Sequence, residues 1–223
     1  MIITPAILPA NFTELNAKLF MLEGVCERVQ IDLCDGVFGL EKTWLPYKDD
    51  EYLPTGFAYE FDLMVQDWRK FLPRIIALGA TRVVIHIDEF SDDDIAELIE
   101  MVRPHLIYLG LCVSNDKNVP QFAARVRMIE TSYSKVFIQV MGITRIGAQG
   151  QPFDLGVPKR VEYLREACRH IDIQVDGSMN PETMLIVKNR GAMCVIVGSY
   201  FFSRGSTHDN LRDMYYTLKE DFR

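Results

Sequence analysis

Eight short runs of apolar, β-prone residues recur along the chain, and most of them are separated by segments with a helical pattern. The runs are almost continuously apolar, which is typical of parallel strands that are buried on both faces. They span residues 2–8, 28–33, 58–64, 82–87, 106–113, 136–141, 171–175 and 194–197. Strands that alternate with helices form either a closed barrel or an open, doubly wound sheet.

The strand count and the chain length favour the barrel. The 223 residues, 48% of them hydrophobic, suffice for one domain with a large core and suit one compact (β/α)8 barrel. Neither GxGxxG nor GxxxxGK[ST] follows any of the runs, which argues against a nucleotide-binding open sheet. The sequence therefore predicts an α/β fold, a single (β/α)8 TIM barrel that occupies residues 1–223.

Capping residues mark several of the expected helices. Asn180 is followed by proline at the first helical position, and Ser91 precedes three acidic residues that suit the positive end of a helix. Residues 41–55 contain two prolines and show no helical period, so we expect a short or irregular second helix there. The other helices are expected at residues 14–22, 68–78, 95–102, 159–169, 182–189 and 209–219.

Charge and cysteine usage limit the possible partners and compartments. A net charge of −7 without a lysine/arginine cluster argues against a nucleic-acid groove. No apolar run approaches the ~20 residues of a membrane span, and the N-terminus lacks the basic and apolar regions of a signal peptide. Five scattered cysteines without a CxxC pair favour reduced thiols, and we therefore expect a cytoplasmic protein.

Two aspartates are the strongest candidates for catalysis. Asp32 ends the second run, and Asp176 follows the seventh, each with a glycine shortly after it. In (β/α)8 barrels the carboxyl ends of the strands form the rim where catalysis occurs. We therefore expect both carboxylates at one rim, where they could share a proton-transfer task.

Two Gly-Ser pairs end the last two strands, Gly177-Ser178 and Gly198-Ser199. Small residues let backbone N–H groups approach an anion closely, and phosphate sites of these barrels form at this place with the help of a short helix dipole. Tight turns alone would also need glycine. The presence of both pairs on adjacent strands nevertheless favours a phosphate-binding site.

The segment from residue 142 to 156 is long for a loop between a strand and a helix. It contains Gly147, Gly150 and Gln151. Long glycine-containing loops on this rim often close over the substrate, so we interpret this one as a lid; a merely flexible loop is the alternative.

Six segments, in the correct order, resemble the motifs of the ribulose-phosphate 3-epimerase family of sugar-phosphate barrels. Residues 5–12 resemble P-S-I-L-S-A-D-F, 30–38 resemble H-x-D-x-M-D-G-x-F, 61–65 resemble the D-x-H-L-M-V segment, 147–153 resemble G-F-G-G-Q-x-F, and 175–178 and 197–199 resemble V-D-G-G and V-x-G-S. Each motif is weak by itself, but the ordered set covers nearly the whole chain.

The resemblance implies an isomerase or epimerase that moves a proton next to a carbonyl of a phosphorylated sugar. In the family, two histidines and two aspartates hold a divalent metal, and the aspartates also serve as acid and base. Asp32 and Asp176 match those aspartates, whereas Gln30 and Asp62 replace the two histidines. The resemblance also implies a homo-oligomer.

The two replacements leave the metal and the activity open. A set of Asp32, Asp62, Asp176 and Gln30 would offer oxygen ligands, which suit Mg²⁺ or Mn²⁺ and make zinc a poor match. Alternatively no metal binds, and one of the clustered carboxylates has a raised pKa and acts as an acid. A third possibility is a catalytically silent homologue that binds a phosphate ligand.

A sugar-phosphate lyase or aldolase on the same barrel is an alternative to the epimerase, because a fold does not fix a function.

His86 lies at the end of the fourth run, and we expect this strand-end histidine to be a hydrogen-bonded structural residue rather than a ligand.

Overall fold

Eight parallel strands close into a barrel in sequence order, with the first strand paired to the eighth. The computed structural model describes residues 1–38, 41–145, 150–203, 205 and 207–222. The strands are β1 (Ile2–Ile7), β2 (Arg28–Cys34), β3 (Ala58–Met64), β4 (Ala80–His86), β5 (Tyr108–Cys112), β6 (Val136–Met141), β7 (Asp172–Asp176) and β8 (Cys194–Val197). The predicted (β/α)8 barrel is confirmed, and the open-sheet alternative is wrong.

Eight α-helices accompany the strands in the described residues. They are α1 (Phe12–Leu22), α2 (Trp68–Ala77), α3 (Asp92–Val102), α4 (Val119–Ser132), α5 (Val157–Ala167), α6 (Pro181–Lys188), α7 (Ser199–Phe202) and α8 (His208–Asp221). A short 3₁₀ helix (Arg103–His105) follows α3. All six helices expected from the sequence are present, with ends that differ by a few residues.

Helix α4 is absent from the helices predicted from the sequence. Asn118 caps it by accepting a hydrogen bond from the backbone N–H of Gln121, and Pro120 lies in its first turn. Its buried residues recur at helical spacing, with Phe122, Val126 and Ile129 on one face. The signals were therefore present but are interrupted by many polar residues.

The expected second helix is wrong for residues 41–57, all of which the structure describes and none of which is helical. Tertiary contacts hold this segment instead. The backbone N–H of Trp44 donates to the carbonyl oxygen of Pro9 at 2.7 Å, and its indole N–H donates to Glu51 at 2.9 Å. Pro46 and Pro54 lack the backbone N–H that a helix interior requires.

The main apolar core lies between the outer face of the barrel and the helices. It includes large, buried side chains that point outward from the strands, such as Ile31, Phe61 and Ile85. All five cysteines are buried with free thiols. Among the residues that the structure describes, no helix is both long and apolar enough to cross a membrane.

Candidate active site

Polar side chains occupy much of the barrel interior, although the strands look continuously apolar in sequence. Successive residues of a strand point to opposite faces, so residues two apart share the inner face. The buried or half-buried polar residues at such spacing are Thr4 on β1, Arg28, Gln30 and Asp32 on β2, Glu60 and Asp62 on β3, Arg82 and His86 on β4, Gln139 on β6, and Gln174 and Asp176 on β7.

Three aspartates from three strands meet near the carboxyl-terminal rim. Asp32 of β2 and Asp62 of β3 are partners in the parallel register, and Asp176 ends β7. One carboxylate oxygen from each lies within 4.8 Å of the others, close enough to hold a metal ion together. The structure thus brings together the aspartates that the sequence singled out.

The Gln30 side chain bridges two of these carboxylates. Its Nε2 donates to Asp32 Oδ1 at 2.9 Å and to Asp176 Oδ2 at 2.8 Å. Its amide oxygen is buried and has no hydrogen-bond partner among the described residues. The two hydrogen bonds therefore hold the amide with its nitrogen, and not its oxygen, toward the two carboxylates.

Asp62 lies behind this bridge, and its side chain is fully buried. His86 Nε2 donates to Asp62 Oδ1 at 2.9 Å, and Gln139 Nε2 donates to Asp62 Oδ2 at 2.6 Å. His86 is hydrogen-bonded, as its position at a strand end led us to expect, but its partner is a member of the aspartate cluster.

A chain of buried hydrogen bonds continues from Asp62 toward the opposite end of the barrel. Gln174 Nε2 donates to Gln139 Oε1 and to Glu60 Oε1, both at 2.6 Å. Arg82 donates to Glu60 and, at 3.1 Å, to Gln174 Oε1. We call this set the polar column; its members are Asp62, Gln139, Gln174, Glu60 and Arg82.

Burial and mutual repulsion perturb the two bridged carboxylates. Burial, together with the negative charges of Asp176 and Asp62, raises the pKa of Asp32 well above its usual range. Burial and the charge of Asp62 raise the pKa of Asp176 to about 7, although the Gln30 hydrogen bond opposes the shift. Both shifts favour a pair that keeps a proton at a pH where free carboxyl groups have lost theirs.

One cavity at the rim brings the other predicted residues together with this pair. Its polar lining consists of Asp32, Gly150, Gln151, Asp176, Gly177, Ser178, Gly198 and Ser199. Its apolar lining consists of Ala6, Leu8, Met64, Met141, Ile143, Met179 and Ile196. Asp62 and Gln30 are not part of the wall, so Asp32 and Asp176 are the carboxylates that face a ligand.

The turn after β7 has an unusual backbone. Gly177 has φ +110° and Ser178 has φ +53°, in the left-handed region. The hydroxyl of Thr183 donates to the carbonyl oxygen of Ser178 at 2.8 Å and thereby ties the turn to α6. Ser199 begins the four-residue helix α7 beside it.

The predicted lid is connected to this turn. The hydroxyl of Ser178 donates to the carbonyl oxygen of Gln151, and both Gly150 and Gln151 line the cavity. Gly147, the third lid residue named from the sequence, lies outside the described residues.

The site fits a bound metal poorly as its side chains are arranged. The three carboxylates are close enough, but the group between Asp32 and Asp176 is an N–H donor, which cannot ligate a cation. Each oxygen of Asp62 accepts one hydrogen bond and keeps a second lone pair, so the Gln30 amide is the group that opposes an ion here. A hard cation would require the Gln30 amide to invert and present its oxygen.

The residues that support the aspartates from below are absent from the site predicted from the sequence. Gln139, Gln174, Glu60 and Arg82 are all nearly or fully buried, yet none was identified as a site residue. A polar residue inside an apolar strand, two residues from a carboxylate at the strand end, is the signal that would have found Glu60 and Gln174.

Comparison with known proteins shows the family to which this chain belongs. The sequence profile of the ribulose-phosphate 3 epimerase family matches residues 2–202. The cytoplasmic isoform of ribulose-phosphate 3-epimerase from Oryza sativa subsp. japonica is 26% identical over 202 residues, which cover 90% of this chain and 86% of the relative. Ribulose-phosphate 3-epimerase from Bacillus subtilis is 24% identical over 209 residues, with coverage of 91% and 92%.

Solved structures share the fold at lower identity. A 3-hexulose-6-phosphate synthase superposes with a TM-score of 0.64 at 17% identity and covers 96% of this chain and 99% of its own. Orotidine 5'-phosphate decarboxylase from Pyrococcus horikoshii OT3 superposes with a TM-score of 0.63 at 15% identity, with coverage of 98% and 99%. These likenesses support the barrel and leave the reaction undetermined.

Proposed function

Because the chain belongs to the ribulose-phosphate 3-epimerase family, we propose that it is a sugar-phosphate isomerase or epimerase that moves a proton at a carbon next to a carbonyl. The observation that carries this proposal is the pairing of Asp32 and Asp176. Both line one cavity, and both accept a hydrogen bond from the same nitrogen atom of Gln30.

Proton transfer between two faces of a carbon requires one group that takes a proton and another that gives one. Asp32 and Asp176 come from different strands, and their raised pKa values favour a state in which one is protonated and the other is not. The ionised carboxylate would remove the proton next to the carbonyl. The protonated one would return a proton from the other side.

The substrate that we propose is a small phosphorylated sugar or a similar phosphate ester. Gly177, Ser178, Gly198 and Ser199 would bind the phosphate through backbone N–H groups, since all four line the cavity beside the aspartates. Gln151, which accepts a hydrogen bond from Ser178, connects the proposed lid, including Gly150 and Gly147, to this turn.

The cellular setting and assembly are part of the same proposal. Five buried free thiols fit a reducing compartment, which supports a cytoplasmic protein. Residues 1–223 would act as a single barrel domain within a homo-oligomer.

Oxygen donors from Asp32, Asp62, Asp176 and Gln30 would suit Mg²⁺ or Mn²⁺ better than zinc if the Gln30 amide inverted.

Exchange of solvent deuterium into a ketopentose phosphate, followed by NMR, tests the reaction. The wild type should exchange the proton next to the carbonyl, whereas Asp32→Asn and Asp176→Asn should each abolish exchange because each removes one proton carrier. Asp172→Asn is the matched control, since this exposed residue lies at the other end of β7. It should exchange at the wild-type rate.

Other results would point to the alternatives. A variant that lacks one of the two carboxylates and still exchanges at the wild-type rate would contradict the two-aspartate mechanism. Ligand binding by the wild type without any exchange would favour the silent phosphate-binding homologue. Cleavage of a carbon–carbon bond in the same NMR experiment would favour the lyase or aldolase.

A further inference from the structure

Three carboxylates in close contact need positive charge or hydrogen-bond donors between them. One oxygen from each of Asp32, Asp62 and Asp176 lies within 4.8 Å of the others in a mostly buried site. Repulsion between buried like charges is strong, because little solvent screens it. A bound cation, shared protons or N–H groups are the ways in which a protein offsets it.

N–H groups already fill this role for all three aspartates. Gln30 Nε2 uses both of its hydrogens, one on Asp32 and one on Asp176. The remaining aspartate, Asp62, has a donor on each of its oxygens, from His86 and Gln139. Side chains of the barrel itself thus offset part of the repulsion within the cluster.

The identity of residue 30 matters for this arrangement. A glutamine amide nitrogen carries two hydrogens, so one atom can donate to two acceptors at once. A neutral histidine nitrogen carries at most one hydrogen, and its other ring nitrogen is a metal ligand. A glutamine therefore suits a site that joins two carboxylates directly, whereas a histidine suits one that joins them through an ion.

The amide oxygen shows that this orientation has a cost. Gln30 Oε1 is buried without a hydrogen-bond partner in the described part of the chain, and such a group is destabilising. Inversion of the amide would leave its oxygen facing two carboxyl groups, which is worse unless a cation or a carboxyl proton lies between them. The two hydrogen bonds donated by the nitrogen stabilise this orientation by more than the unpaired oxygen destabilises it.

We propose that the Gln30 amide nitrogen takes the place of a divalent ion between Asp32 and Asp176, so that this member of the family does not depend on a metal. The inference concerns metal binding and does not depend on which reaction the protein performs. Its tests therefore use a bound ion, and not turnover, as the readout.

Titration of chelator-treated protein with Mn²⁺, followed by the EPR signal of the free ion, tests the proposal. The wild type should leave Mn²⁺ free, whereas Gln30→Glu, which replaces the N–H donor by an oxygen, should bind one equivalent at least ~10-fold more tightly. Gln121→Glu makes the same chemical change at an exposed position on α4 and should behave as the wild type.

Two results would overturn the proposal. One is stoichiometric binding of Mn²⁺ or zinc by the wild type with the affinity of Gln30→Glu; the other is unchanged affinity in a folded Gln30→Glu variant. The wild type alone also provides a test if that variant does not fold. The side-chain NH₂ resonances of ¹⁵N-labelled Gln30 should persist after addition of one equivalent of paramagnetic Mn²⁺, and their disappearance would contradict the proposal.

Discussion

Gly142, which directly follows β6, lies against Gly177, which directly follows β7. The backbone N–H of Gly142 donates to the carbonyl oxygen of Asp176 at 2.5 Å. A Cβ atom added to Gly142 would lie 2.0 Å from the carbonyl oxygen of Gly177. The backbone that carries Asp176 into the cavity is therefore held in place by a contact that only glycine permits.

Gly142→Ala should displace this strand end. The added methyl group forces the Gly177 carbonyl to move, and overpacking of this kind costs about 1–3 kcal/mol of unfolding free energy. Phosphate-ligand affinity should fall as well, because Gly177 lines the cavity. Chemical denaturation and calorimetry would measure both effects.

The control for this substitution is Gly156→Ala. Gly156 belongs to the same long loop and has φ −76°, and its added Cβ would approach only the side chain of Asp154, at 3.2 Å. It should change stability and affinity far less. Equal effects of the two substitutions would mean that the contact between the strand ends is not the cause.

Asp176→Asn should change how stability depends on pH. An acid whose pKa is higher in the folded protein binds its proton more firmly there, and the pKa of Asp176 is raised to about 7, against about 3.9 in an unfolded chain. The wild type should therefore lose stability relative to the variant as the pH rises from about 4 to 7. Urea denaturation at several pH values measures this difference.

The expected sign of the stability difference between Asp176→Asn and the wild type is specific. The neutral amide cannot lose a proton, so the variant should equal or exceed the wild type in stability above pH 7. Asp172→Asn, at the exposed end of the same strand, should follow the wild-type profile. A difference between Asp176→Asn and the wild type that is constant over the whole range would contradict the raised pKa.

Removal of one member of the buried ion pair at the base of the polar column should be strongly destabilising. Glu60 is fully buried and accepts hydrogen bonds from Arg82 and Gln174. Glu60→Leu leaves the guanidinium buried without its charge partner, at a cost of about 3–5 kcal/mol of unfolding free energy. The double variant Glu60→Leu/Arg82→Met should recover most of that loss, as measured by chemical denaturation.

The double variant also tests the contribution of packing. The guanidinium carbon of Arg82 lies 3.7 Å from the centre of the Phe137 ring, a contact that the methionine side chain can partly replace. If the double variant is no more stable than Glu60→Leu alone, an uncompensated charge is not the main cost of the single substitution.

Gly198→Val should weaken phosphate-ligand binding while the barrel remains folded. Gly198 lines the cavity at the carboxyl end of β8, where close approach of an anion to the backbone needs a small residue. Gly198→Ala should show a smaller loss, so the two variants form a graded series in calorimetry. An affinity that is unchanged in Gly198→Val would place the phosphate elsewhere.

The residues whose position at the rim follows from the sequence are those that lie at or near strand ends. Asp32 and Asp176 are each followed closely by a glycine, and their position at the carboxyl ends of strands is enough to bring them to one rim. The Gly-Ser pairs at residues 177 and 198 reach the same cavity for the same reason. Topology alone therefore places these residues.

The hydrogen bonds could not be predicted in the same way. Whether Gln30 presents its nitrogen or its oxygen depends on the charges around it, and two of the three aspartates, Asp62 and Asp176, come from other strands. The partner of His86 is likewise set by the alignment of β3 with β4, which brings Asp62 within 2.9 Å. Side-chain orientation is a property of the assembled barrel, not of any one segment.

The polar column has a consequence for how the barrel finds its correct closure. Apolar strands rich in valine and isoleucine can slide past one another by two residues and still bury similar surfaces. In this chain such a slip of β3 would move Glu60 to the level of Asp62, away from Arg82, and leave buried charges without partners. The column therefore stabilises the native alignment of the strands relative to slipped alignments of the same barrel.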